Sequence, residues 1–274
     1  MNAGAPMASE ATRARVRPDG RWRGAVTHRA LPDSTEEIAE LAPAVRTTLA
    51  GIWMGQAATE ARVAASFSVI HDSLSRLGAD DALVALAARA VDDEHRHAAL
   101  CEDMAGRYAG RVCGPHAVLP PRRPAHRAAP SPAVRDALWV IGQCALNETF
   151  AGAYLSAARE GARSPVVRAA LRELLEDEID HARIGWAYLS LAPDGLRREL
   201  SQWLVPLTAC NLREWRKITL PDDDRLWAHG IPPAPVAHAE LTAVVRDILV
   251  PGFARAGLDT RALEAWVTAG AKLD

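Results

Sequence analysis

The chain reads as an all-α protein in which two antiparallel helix pairs, joined by a long crossover, make a four-helix bundle followed by extra C-terminal helices. Three observations predict this. Ala, Leu, Val and Ile recur at three- and four-residue intervals through long stretches, the spacing that turns one face of a helix toward a core. Glycines, prolines and capping residues fall between those stretches, and the alternation with a period of two that marks a strand is nearly absent.

Each element follows in order. Ser34 with Glu37 forms a capping-box pattern, and helical spacing then runs to about Leu77, with Pro43 bending or restarting the helix. Gly78 ends it, Asp80 or Asp81 can cap the next, and a second helix runs to about Tyr108. Pro115, Pro120, Pro121, Pro124, Pro130 and Pro132 make 114–132 a crossover rather than a helix or central strand. Ser131-Pro132 starts a third helix reaching about Glu160, and Ser164-Pro165 starts a fourth ending near Pro193. Further helices are expected around 194–219, 236–250 and 259–270, interrupted by the Pro- and Asp-rich segment 221–235. The expected organisation is a loose tail over 1–33, the bundle over 34–193 and a helical extension over 194–274 packed on it.

Bulk properties exclude several function classes. With 274 residues, 49% of them hydrophobic, the chain can bury a large core. A net charge of -2, with no basic tract interleaved with aromatics, gives no reason to expect nucleic acid. Glu60 and Arg62 interrupt the longest apolar stretch, so no membrane span of roughly 20 residues is expected. The first 33 residues lack the apolar run of a signal peptide. Cys101, Cys113, Cys144 and Cys210 lie far apart without a CxxC pair, which suggests neither a zinc ribbon nor a disulfide framework and fits a reducing cytoplasm.

The chemistry concentrates in a repeated pattern. Glu-x-x-His occurs at Glu94–His97 and at Glu178–His181, and residues three apart share a helix face. One such match is weak, because 16 Glu and 9 His give roughly half a match by chance. Two upstream glutamates strengthen it: Glu60 lies 34 residues before Glu94, and Glu148 lies 30 before Glu178. In a helical hairpin, residues equidistant from the turn lie at one height. The midpoints, residues 77 and 163, fall beside Gly78 and Ser164-Pro165, the turns already read from breakers.

Environment points the same way. Glu148 is the only charged residue between Asp136 and Arg159, and Glu60 has only Arg62 for company between Arg46 and Asp72, with Arg62 expected on the opposite side of the helix. A buried carboxylate either stays protonated or finds a cation. Four carboxylates and two imidazoles form a hard-to-borderline donor set suited to iron or manganese with positions left open. Asp93 and Asp177, which precede the motif glutamates, could accept a hydrogen bond from a ligand imidazole and fix its orientation. Read alone, Glu178 and His181 could equally be a solvated face, since Arg172, Glu173, Glu176 and Asp177 crowd the same region.

Glu60, Asp-Glu-His-Arg-His at 93–97, Glu148 and Asp-Glu-Ile-Asp-His at 177–181 resemble the paired motifs of the ferritin-like di-iron carboxylate superfamily over about residues 45–190. The resemblance implies two Fe ions, with Mn or mixed Fe/Mn as alternatives, and O2 as co-substrate. It implies Glu60, Glu94 and His97 on one iron, and Glu148, Glu178 and His181 on the other, with some glutamates bridging. Departures narrow the field. Cys101 stands where reductase small subunits carry a radical-forming tyrosine, and no rubredoxin-like CxxC module is present. Leu174 stands where arylamine N-oxygenases place a third histidine, and Asp180 in the second motif occupies the place of Arg96 in the first.

Near the ligands, Ala57, Ala64, Cys101, Cys144, Ala145 and Gly152 are small residues that could leave room for O2 or an organic substrate, or could serve close helix packing. The extension, with Trp203, Trp215, Trp227 and Trp266, is expected to roof a pocket or to form a homodimer interface. The favoured expectation is an O2-dependent oxidase or oxygenase acting on a small organic molecule, with an electron-donor protein as a possible partner. A ferroxidase or peroxidase, and a non-catalytic metal-binding scaffold, are the alternatives.

Overall fold

The computed structural model describes residues 28–121, 126–217 and 223–271, together with two short strands, Arg15–Val16 and Trp22–Arg23, which pair antiparallel. The rest of the expected tail, part of the crossover and residues 218–222 lie outside the described residues. Helices dominate: α1 (Thr35–Ala39), α2 (Pro43–Arg76), α3 (Asp81–Ala109), α4 (Pro132–Val140), α5 (Glu148–Gly161) and α6 (Pro165–Leu191) precede a run of shorter ones. No helix among the described residues is long and apolar enough to cross a membrane.

Local chemistry explains most boundaries. The Asp80 carboxylate accepts from the Ala82 amide at 2.8 Å to start α3, and Gly110 ends it at φ 66°, a conformation that favours glycine. Ser131 and Ser164 cap α4 and α6 as expected, accepting from Val134 and Val167. The capping box at Ser34 does not form. Asp33 instead accepts from the Thr35 amide at 3.0 Å, while the Ser34 hydroxyl accepts from Arg107. Pro43 restarts rather than bends the chain, because α1 closes at Ala39 and α2 begins anew.

Helices α2 and α3 pack along their length, α5 packs on α6, and the pairs meet through α2 on α4 and α3 on α6. Two apolar clusters fill the interior, one around Phe67, Leu138, Phe150 and Phe253, the other around Leu49, Met104, Tyr108 and Leu174. At one end, Arg76 makes a two-pronged ion pair with Asp136, at 2.9 and 2.7 Å, joining α2 to α4.

Two features depart from the sequence expectation. The third long helix is α-helical only at its ends: Ile141–Asn147 between α4 and α5 is π-helical. Residues 28–33, expected in a loose tail, are tied down, because the Arg29 amide donates to the buried Glu173 at 3.2 Å and the Pro32 carbonyl accepts from Arg107 at 2.8 Å.

The extension comprises α7 (Asp194–Ser201), α8 (Leu204–Arg216), α9 (Asp224–Ala228), α10 (Ala234–Val244), α11 (Val250–Arg255) and α12 (Arg261–Thr268), with a second π-helical segment at Val245–Leu249. Helix α9 falls in the segment expected to be irregular, with Asp223 as its cap. The loop after it is fastened to α3 by a 2.8 Å hydrogen bond between Tyr108 and His229, both buried.

Gly185 sets how closely α6 approaches the π segment, since a Cβ there would collide with the backbone nitrogen of Ala145. A Cβ on Gly152 would meet only Leu175, at an ordinary 3.8 Å. Gly185→Ala is expected to cost about 1–3 kcal/mol through overpacking. Gly152→Ala should be neutral or stabilising by up to about 1 kcal/mol, since alanine favours helix. Urea unfolding of both variants checks the contrast, and equal stabilities would contradict it.

Candidate metal centre

The four glutamates and two histidines of the repeated pattern are all buried: Glu94 and His97 are 0% exposed, and Glu60, Glu148, Glu178 and His181 no more than 5%. They reach one region from four helices. Glu60 comes from α2, Glu94 and His97 from α3, Glu148 from the junction of the π segment with α5, and Glu178 and His181 from α6. The solvated-face reading of Glu178 and His181 is thereby excluded.

One set is tightly gathered. A donor atom each from Glu60, Glu94, His97 and Glu178 lie within 4.8 Å of one another. Glu94 and Glu178 stand between the two imidazoles. His97 Nδ1 lies 3.5 Å from Glu94 and 3.7 Å from Glu178, and His181 Nδ1 lies 3.1 and 3.3 Å from the same two carboxylates. These two glutamates therefore hold the bridging positions between the halves of the repeat. Glu148 stays outside the tightest set. Gln143 donates to its Oε1 at 2.6 Å, and Asn147 reaches Oε2 at 3.4 Å.

Several of these atoms have no hydrogen-bonding partner. Both Glu94 carboxylate oxygens, His97 Nδ1 and His181 Nε2 are buried without one. Native interiors rarely leave such groups unsatisfied, and each costs roughly 1–3 kcal/mol, more when charged. A cation between Glu94, His97, Glu60 and Glu178 would satisfy the inward-facing atoms together, so the donors present fit a metal. An all-oxygen and imidazole set suits iron or manganese better than a thiolate-seeking ion.

The outward ring nitrogens face the aspartates, and they do so crosswise. His97 Nε2 bonds Asp177 of the other motif at 3.1 Å, and His181 Nε2 lies 3.6 Å from Asp93. A single guanidinium joins these supports: Arg96 reaches Asp93 at 2.7 Å, Asp177 at 2.5 Å and Glu173 at 3.5 Å. Its counterpart position in the second motif, Asp180, pairs with the neighbouring Arg183 on its own helix. The arginine thus braces both aspartates, Asp177 bonded to His97 and Asp93 standing near His181, and the Asp at the equivalent place needs no copy of it.

Protonation follows burial and charge. Burial, together with Glu94 and Glu178, pushes the Glu60 carboxyl well above its usual range, and burial with the same two neighbours does so for Glu148. Burial opposes ionisation of Glu94 as well, but the nearby His181 and His97 outweigh it and pull the group down to about 2. Burial would lower both imidazoles, yet Asp177 and Glu94 raise His97 well above its usual value, as Asp93, Glu178 and Glu94 do for His181. Without a metal, then, protons on the histidines and on Glu60 and Glu148 supply the charge balance.

A cavity of about 400 Å³ opens beside this cluster, lined by Glu60, Glu148 and Glu178 and by Glu214 and Trp215 of α8. The extension therefore does wall a cavity at the site. The small residues do not: Ala57, Ala64, Cys101, Cys144 and Gly152 are absent from its lining, and all but Gly152 are fully buried. Ala145 packs against Gly185. These residues allow close helix approach instead. Arg62, expected on the far side of α2, lines the cavity with Glu60 because its long stem can wrap around the helix.

The sequence reading missed Gln56, which donates to Glu60, and Gln143, which donates to Glu148. Gln56 stands one helical turn before its partner, a spacing that could have pointed to it. Gln143 lies five residues before Glu148, and only the π-helical widening places that pair on one face.

Arg96→Met should keep the fold but weaken metal binding by roughly 10–100-fold, the usual cost of losing the groups that orient metal ligands. Competitive titration with a chromophoric chelator measures this, and unchanged affinity would remove the brace role. Metal uptake should release protons, because His97 and His181 must lose theirs to bind, as must Glu60 and Glu148. Apparent affinity for Mn(II) should therefore fall as pH drops below neutral, which proton-release calorimetry in buffers of different ionisation heat would reveal. No family model matches the chain, and no curated protein or solved structure matches it.

Proposed function

We propose that the chain is a ferritin-like di-metal carboxylate protein that holds iron between its helix pairs and acts as an O2-dependent oxidase or oxygenase on a small organic molecule. The observation that carries this reading is the combination of orphaned, inward-facing donors on Glu94 and His97 with an adjoining cavity bounded by Glu60, Glu148 and Glu178. A storage bundle needs the first of these but has no use for an indole-lined chamber next to its metals.

Iron held there in its reduced state would supply electrons to O2, the oxidant of the reaction. The chain's own residues do the rest. Glu94 and Glu178 share their carboxylates between the two imidazoles, Asp93 and Asp177 hold the rings in place, and Arg96 fixes the aspartates. Glu148 is kept on neutral donors at the cavity wall, where its carboxylate would be available to a second ion. The surrounding apolar side chains, among them Phe67 with its ring centroid 4.9 Å from that of His181, exclude water from the cluster. Electrons beyond those of the substrate would come from a donor protein.

The test is metal content and O2 uptake in the full chain. Protein loaded anaerobically with Fe(II) should take up about two irons per chain, and Glu94→Ala should lose most of them. A single O2 pulse should then be consumed in near-stoichiometric amount and stop in the absence of an organic substrate. Many Fe(II) turned over per chain without one would instead establish a ferroxidase, and no iron bound under any loading condition would end the proposal.

A further inference from the structure

A second, larger chamber of about 560 Å³ adjoins the cavity at the candidate metal centre. Ser66, Gln143, Asn147 and Glu214 line both, so the two chambers meet at a polar neck. The neck is built from the π segment, α2 and α8, and two of its residues, Gln143 and Asn147, are the same ones that hold Glu148. Beyond the neck the walls turn apolar: Val69 and Ile70 from α2, Leu138 and Trp139 from α4, and Trp203 and Leu207 from the extension. Both volumes lie in the range of sites that enclose drug-sized ligands.

Resting on the function proposed above, we infer that the outer chamber holds the body of the substrate: an elongated, uncharged, apolar molecule. Its other end passes the neck to the carboxylates. Two observations fix the chemical class. The apolar walls favour a hydrocarbon or fused-ring body, worth roughly 25 cal/mol per Å² of apolar surface removed from water. Among the described residues no lysine or arginine lines the outer chamber; its carboxylate, Glu214, pairs with Lys217 at 2.6 Å, and burial holds His126 toward its neutral form, so an anionic head would lose its hydration against these walls without a charged partner.

The extension is thereby assigned the role of specificity element. Its helix α8 supplies one wall of each chamber, and Trp215 bonds Asn147 at 3.1 Å, locking that wall to the neck. A change in α8 would alter which molecule reaches the metals without altering any ligand.

The experiment is calorimetric titration of the full chain with 2-decanone as a neutral probe and decanoate as an anionic one, with metal content measured in parallel. The parent should bind 2-decanone, and decanoate at least ten-fold more weakly. Cys210→Trp, at an exposed position on the chamber rim, should weaken 2-decanone binding at least ten-fold and leave metal content unchanged. Leu207→Trp fills the chamber from within and should do the same, with circular dichroism confirming the fold. No binding to the parent, binding unaffected by both blocking variants, or a preference for decanoate would overturn the inference. Ketone binding that responds to the variants in a chain that takes up no metal would uphold the chamber as a binding site and count against the metal-centre reading instead.

Discussion

Four carboxylates and two imidazoles share a helical core, and the charge balance among them constrains everything around them. A lone buried carboxylate is costly, and four in one place would drive the helices apart unless protons or metal ions neutralise them. The chain resolves this in layers. Glu94, between two imidazoles, keeps its charge, while Glu60 and Glu148, farther from that positive centre, hold protons. The same arrangement that makes the metal-free core tolerable makes it ready for cations, because each proton held there marks a place where positive charge is already favoured. Outside the cluster, Asp93, Asp177, Glu173 and Arg96 carry the balance toward solvent, and the Arg29 amide donates to Glu173 from the N-terminal segment. Pinning of that segment is thus one consequence of charge balance in the core.

The helix order and the six central residues were legible in the sequence because both rest on local rules. Helix ends depend on residues within a turn of them, and Asp80, Gly110, Ser131 and Ser164 act as their types predict. Hairpin geometry then turns spacing into proximity, which is how Glu60 could be matched to Glu94 and Glu148 to Glu178 from their distances to the turns alone. What local rules do not contain was missed. Ser34 lost its capping role because Arg107, distant in sequence, claims its hydroxyl. Arg96 was visible as a singular residue, but its bridging of both motifs depends on the register of α3 against α6. The small residues were ambiguous for a related reason: alanine and glycine on an inward face mark either space or contact, and only the position of the neighbouring helix decides. Here Gly185 against Ala145 shows that contact wins.

The π-helical segment could not be read because a widened turn arises from a balance of packing rather than from a residue pattern. One residue more per turn displaces the side chains that follow it, so Gln143 and Glu148, which an α-helix would rotate apart, come to share a face. The π segment thereby sets the Glu148 carboxylate at the wall of the cavity, held by Gln143.

That position connects the cluster to the extension. Asn147 bonds both ways, donating to Glu148 and accepting from Trp215 of α8, whose ring also lies 5.8 Å from that of Tyr154 on α5. Helix α8 in turn lines both chambers. A molecule seated against Trp203 and Leu207 would therefore touch the same helix that, two to three turns later, lines the neck with Glu214 and, through Trp215 and Asn147, reaches the one glutamate of the four not gathered into the tight donor set. On the reading proposed above, a ligand in the chamber and Glu148 would compete for the same donors, Gln143 and Asn147, and such coupling would be reciprocal. The extension is in this sense part of the site, because Glu214 and Trp215 of α8 close one side of the cavity onto which Glu60, Glu148 and Glu178 open.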